Sequence, residues 1–206
     1  DIDKAFYTVI AGAEKKDRST ISEQDRRVTA YHEAGHALVT RFIAPENKVS
    51  RITIIPSTKG AGGFSMNIPP DRMYHKKRDM ENSIKIALAG RAAEELIFGQ
   101  ENITTGASND LEKATDTLLN MIRRFGMNST SGLLNYDVLY NNGFRQVQAD
   151  VLEECKVRMD AFYDEVKGLL LSNIRILEAV AESLLARETL DDKDLDLIIQ
   201  AFEKAG

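Results

Sequence analysis

Apolar residues recur every three to four positions along most of the chain, and alternate or run together in two short stretches. Val28, Tyr31, Ala34, Leu38 and Phe42 follow the helical interval, and Pro45 closes that run, which predicts a helix leading up to it. Residues 49–55 are a β-branched run stopped by Pro56, a predicted strand. Phe64, Met66 and Ile68 alternate with Ser65 and Asn67 ahead of Pro69 and Pro70, the pattern of a half-buried strand. Residues 57–63 between them form a glycine-rich loop, but without the strand-loop-helix setting or the Gly-Lys-Ser/Thr ending of a phosphate cradle. The rest is predicted mostly helical. Residues 79–98 carry Met80, Ile84, Ala87, Leu88, Ala92 and Leu96, with Gly99 as terminator. A further helix opens at Asn109, a candidate N-cap with Glu112 as its partner, and runs to Gly126. Three amphipathic segments follow: 146–171, one holding Ile174 to Leu184, and a short one with Leu195, Ile198 and Phe202. Residues 127–143 are rich in Asn, Ser and Gly and read as irregular; 1–11 read as helix stopped by Gly12, and 13–25 as a polar linker. The expected fold is mainly α (α+β), with a small β-element beside the first of the long helices.

Composition adds bounds. At 206 residues, 43% hydrophobic and 29% charged, the chain suits one good core or two small ones in an ordinary globular protein. A net charge of −5 argues against a nucleic-acid partner, which wants a basic surface. The single cysteine, Cys155, excludes an internal disulfide, fits a reducing compartment and sits in a helical pattern as a packed or half-buried thiol. No apolar run has the length to cross a bilayer and no signal peptide is visible. The chain opens Asp1-Ile2-Asp3-Lys4, without methionine and inside an amphipathic pattern, so it is expected to be a piece of a longer protein.

One motif states a chemistry. His32-Glu33-Ala34-Gly35-His36 is H-E-x-x-H, and residues four apart on a helix share a face, so both imidazoles can grip one metal ion. Glu33 can then reach a water on that metal and act as general base in peptide hydrolysis. Such a pattern also arises by chance on a polar helix face, but the chain has only three histidines and spends two of them here. A catalytic zinc takes three protein ligands and keeps a fourth position for water. His75, in the cationic stretch 72–78, reads as a solvated surface histidine, because positive neighbours oppose collecting a dication. Glu94 and Glu95 lie beside the small residues Gly90, Ala92 and Ala93, which permit close approach of another helix; Asp110 lies in a first helical turn, where the dipole favours an ionised carboxylate. The spacing leaves all three carboxylates open as third ligand.

Residues 29–39 around the motif resemble the active-site helix of the FtsH family of ATP-dependent, membrane-anchored zinc metalloproteases. Ile52-Thr53-Ile54-Ile55-Pro56, Ala89-Gly90-Arg91-Ala92-Ala93-Glu94-Glu95 and the stretch 104–115 match further family segments in the same order. Ala89 departs from the first glycine of the family's G-G-R pattern, and 128–132 depart from its usual continuation. The resemblance implies that Asp110 completes a His32–His36–Asp110 zinc site. It implies that Glu33 is the catalytic base, that Glu94 or Glu95 orients a histidine, and that an edge strand at Gly62, Gly63, Phe64, Ser65 and Met66 receives an extended substrate. It also implies protein substrates, a homo-hexamer and membrane segments elsewhere in a parent protein, with this domain on the cytoplasmic side. By the same resemblance residues 1–25 are the end of an ATPase module and its linker, and 26–206 the zinc peptidase domain. ATP would act only through that module, since no Walker A sequence is present. Two other readings stand beside this one. An inactive oligomerisation platform is disfavoured by the intact Glu33; a stand-alone zinc peptidase would work without any ATPase.

Overall fold

Ser22 starts the helix that carries the motif. Its hydroxyl accepts from the Asp25 amide at 3.0 Å while the Asp25 carboxylate accepts from the Ser22 amide at 3.2 Å, a reciprocal cap that fixes the N-terminus of α1, Glu23–Ile43. The helix therefore takes in the last three residues, 23–25, of the stretch expected to be linker. The computed structural model describes residues 9, 12–15, 17, 21–58, 60–128, 132–143 and 148–204, without the side chains of 148–150. Apart from Val9, the helix expected over 1–11 lies outside the described residues.

The following elements are β1 (Lys48–Thr53), β2 (Phe64–Ile68), α2 (Lys77–Phe98), α3 (Ser108–Arg123), α4 (Tyr136–Asn141), α5 (Gln148–Ser172), α6 (Ile174–Arg187), β3 (Thr189–Leu190) and α7 (Asp192–Glu203). The architecture is mainly α with one antiparallel sheet in the order β2-β1-β3, so β2 is an edge strand. The register pairs Thr53 with Phe64 and Lys48 with Ile68, with an irregularity between Val49 and Arg51. No described helix is long and apolar enough to cross a membrane.

α1 is buried from residue 30 to residue 40 without interruption, because α2, α6 and the sheet enclose it. Its closest neighbour is α2. A Cβ added at Gly35 would lie 2.6 Å from the Ala89 carbonyl oxygen and 2.8 Å from the Ala93 Cβ, so the two backbones meet where neither has room for a larger side chain. The main core joins Leu38, Ile52, Leu177, Leu184 and Leu195, all fully buried, from α1, the sheet, α6 and α7. A second cluster, with Ile84, Leu118, Met121 and Phe162, ties α2 to α3 and α5. Cys155 is half-buried at its margin.

Three local expectations are corrected. α3 begins at Ser108, and no side chain caps it. A 3-10 turn, Thr105–Ala107, leads into it instead, and the Thr104 hydroxyl accepts from the Gly106 amide at 3.1 Å, so the capping role expected of Asn109 falls on the turn. The stretch 127–143, expected to be irregular, holds α4, whose Asn135 cap accepts from the Val138 amide at 3.2 Å and whose Tyr136 is buried. β1 also ends at Thr53, short of the expected Ile55. The Ile54 amide turns to the Glu188 carbonyl at 3.0 Å, where Glu188 takes a left-handed φ of 61° to bring β3 alongside β1.

Gly35→Ala is expected to lower stability by about 1–3 kcal/mol through overpacking. That loss outweighs the roughly 1 kcal/mol gained in helix propensity. The urea midpoint reads it; an unchanged or raised midpoint would mean that α1 and α2 separate at no cost.

Candidate metal centre

Helical spacing on α1 stacks His32 and His36, whose rings meet edge to face at 4.7 Å between centroids, and both side chains are buried. The space for them is made by Gly90 of α2. A Cβ there would lie 2.5 Å from His32 Nε2 and 2.6 Å from His36 Nε2.

The Nδ1 atom of each ring is already committed. His36 Nδ1 lies 2.7 Å from the Ile86 carbonyl oxygen, which only accepts, so Nδ1 donates and Nε2 presents a lone pair. His32 Nδ1 likewise donates to Glu94 Oε1 at 2.7 Å, and the other Glu94 oxygen accepts from the Thr104 amide at 2.7 Å. Burial would raise the pKa of Glu94, but these hydrogen bonds from His32 and Thr104 hold it below the usual carboxylate range.

Three acceptors therefore converge. His32 Nε2 and His36 Nε2 are 3.0 Å apart, and Asp110 Oδ2, from the first turn of α3, lies 3.3 Å from the first and 3.4 Å from the second. Only a cation satisfies all of them. Without metal that cation is a proton: burial would lower the His32 pKa, but the hydrogen bonds to Asp110 and Glu94 prevail and push it up to about 10. Asp110, which burial would raise, is held far below its ordinary value by the hydrogen bond from the protonated His32 and the close approach of the His36 ring. A tetrahedral cation with bonds of about 2.0–2.1 Å sets its ligands about 3.3 Å apart, so the spacing and donor set fit zinc.

Glu33 is buried beside the pair, and burial pushes its pKa up against the opposing pull of His32 and His36. The loop before β2 presses on it. A Cβ at Gly63 would lie 2.5 Å from the Thr53 carbonyl oxygen and 3.2 Å from Glu33 Cγ, so this loop position requires glycine. His32, Glu33, His36 and Asp110 all line one cleft of about 830 Å³.

The other expected residues divide. Gly62, Gly63, Phe64 and Ser65 line the cleft and Met66 does not; Asn67, not singled out from sequence, does. Glu95 points away from the histidines, accepting from Tyr163 Oη at 2.6 Å and Lys167 Nζ at 2.8 Å, a clamp between α2 and α5. His75 is exposed at the cleft wall and lies outside the converging group. Sequence reasoning missed the Ile86 carbonyl and the Thr104 amide, which as backbone groups leave no residue signature. It also missed the part of Gly90 as the floor under both rings, although the small residue was visible.

The titration of His32 has a measurable sign. Its folded pKa of about 10 exceeds its ordinary 6.5, so the protonated ring stabilises the metal-free chain fully below pH 6.5 and that contribution is lost as pH rises through 10. Bound metal replaces the proton, and its affinity rises with pH. Melting temperatures taken with chelator are expected to fall from pH 6.5 towards 10, with the fall reduced or reversed by saturating zinc. Parallel curves would count against the converging geometry.

The model of a family described as Peptidase family M41 matches residues 19–198. The ATP-dependent zinc metalloprotease FtsH 1 of Alkaliphilus metalliredigens is 58% identical over 204 residues, covering 98% of this chain and 34% of that protein. The ATP-dependent zinc metalloprotease FtsH of Lachnoclostridium phytofermentans is 50% identical, covering 96% and 33%. The protein of that name from Thermus thermophilus is 38% identical, covering 98% and 33%. The chain thus spans about a third of the length of the curated relatives it matches. With the family model running from before the motif helix into α7, the chain belongs to peptidase family M41.

Proposed function

We propose that this chain is the peptidase part of an ATP-dependent zinc metalloendopeptidase. The observation that carries the reading is the convergence of His32, His36 and Asp110 beside Glu33, in a cleft bordered by an edge strand. Zinc, when bound, supplies Lewis acidity, lowering the pKa of its water and polarising the scissile carbonyl. His32, His36 and Asp110 would hold it, with Glu94 and the Ile86 carbonyl keeping both Nε2 atoms free for that role. Glu33 takes the proton of the attacking water and returns it to the leaving amine. Its raised proton affinity suits a base that must work near neutral pH.

The open edge of β2 supports an extended substrate. Gly62, Gly63, Phe64, Ser65 and Met66 offer backbone groups to a polypeptide laid beside them, and such pairing is indifferent to side chains. This suits a protease that takes many proteins. In the parent protein, residues 1–25 would close an ATPase module and its linker and 26–206 would form the peptidase domain. That module, working as a homo-hexamer anchored to a membrane with the peptidase on the cytoplasmic side, would use ATP to unfold substrates and deliver them.

Glu33→Gln is expected to keep zinc and lose peptide hydrolysis by about 10²–10⁴-fold. A fully active variant would overturn the assignment of the base. Asp110→Asn is expected to weaken zinc binding in chelator competition as well as activity, and unchanged affinity would remove Asp110 from the ligand set.

A further inference from the structure

The Asp110 carboxylate is divided between two kinds of neighbour. Oδ2 faces the imidazoles, while Oδ1 faces the Lys113 ammonium at 3.6 Å. Lys113 lies three residues along α3, on the same face, and lines the cleft. Among the described residues it is the one lysine or arginine ion-paired with any of His32, Glu33, His36, Glu94 and Asp110. A carboxylate binds a cation through one oxygen or both. Left unheld, the spare oxygen can swing in as a second ligand atom and fill the position that a catalytic zinc keeps for water.

We propose that Lys113 is a positioning residue that holds Oδ1 of Asp110, so that Asp110 binds the metal through Oδ2 alone and the water position stays open. The role rests on the proposed metal centre. Coulomb's law gives it a signature that a mere prop for Asp110 would lack. An ammonium beside the site opposes a dication, so losing it leaves metal affinity unchanged or raised while turnover falls. A prop, when lost, would loosen the ligand and weaken the metal.

The test uses cobalt(II) in place of zinc, because four-coordinate cobalt absorbs visible light more strongly than five-coordinate cobalt. In the whole chain, Lys113→Met is expected to lower the absorbance per bound cobalt by about twofold or more, and Lys113→Arg to restore it. Zinc affinity of Lys113→Met, from chelator competition, is expected to be equal to or up to about tenfold tighter than that of the unmodified chain, with slower peptide hydrolysis. An unchanged cobalt spectrum, or zinc binding that weakens, would overturn the role of Lys113 while leaving the metal centre standing. If the unmodified chain takes up no stoichiometric cobalt, the metal centre itself fails and the role falls with it.

Discussion

The close approach of α1 and α2 is the constraint on which the site depends. Gly35 lets α1 settle against Ala89 and Ala93, and Gly90 leaves the space that the two imidazoles occupy. Only at that separation can His32 reach Glu94 and His36 reach the Ile86 carbonyl, each at 2.7 Å. Those two bonds decide the tautomers, and the tautomers decide that both Nε2 lone pairs point at one spot. A bulkier contact anywhere along this seam would act on the site by displacing the rings, without touching Asp110.

The same arrangement makes the metal-free centre an electrostatic compromise. Two lone pairs and a carboxylate oxygen crowd together in a largely buried place, and the raised proton affinity of His32 is the response to that crowding. A site organised around acceptors is pre-arranged for a cation, so little has to move when a metal takes the place of the proton. Glu94 is what makes this tolerable: it is anchored by the Thr104 amide on the turn that leads into α3, which couples the orientation of His32 to the placement of Asp110. The converging side chains of two separate helices are thereby linked through one carboxylate.

Much of the fold was legible from periodicity. The motif helix, β2 and the helices after Pro70 other than α4 follow from the spacing of apolar residues, because burying one stripe is enough to define an amphipathic element. The departures occurred where a partner distant in sequence decides. Asn109 looks like a cap, yet the 3-10 turn held by Thr104 meets the chain first. The 127–143 stretch looked structureless, yet Tyr136 finds a place among α2, α3 and α5 and α4 forms around it. Ile54 and Ile55 looked like strand, yet the Glu188 carbonyl takes the Ile54 amide and ends β1.

For the site, the sequence by itself determined a helix with two imidazoles and a carboxylate on adjoining positions, because a spacing of four is a geometric statement within one helix. It left Glu94, Glu95 and Asp110 equivalent as partners. The tertiary structure separated them: Glu94 lies behind His32, Glu95 faces α5, and Asp110 comes forward to both Nε2 atoms. The reason is that neighbouring residues on a helix point about 100° apart. Which of two adjacent glutamates meets a histidine therefore depends on the rotation of α2 against α1, and that rotation is fixed by the glycine and alanine contacts between them.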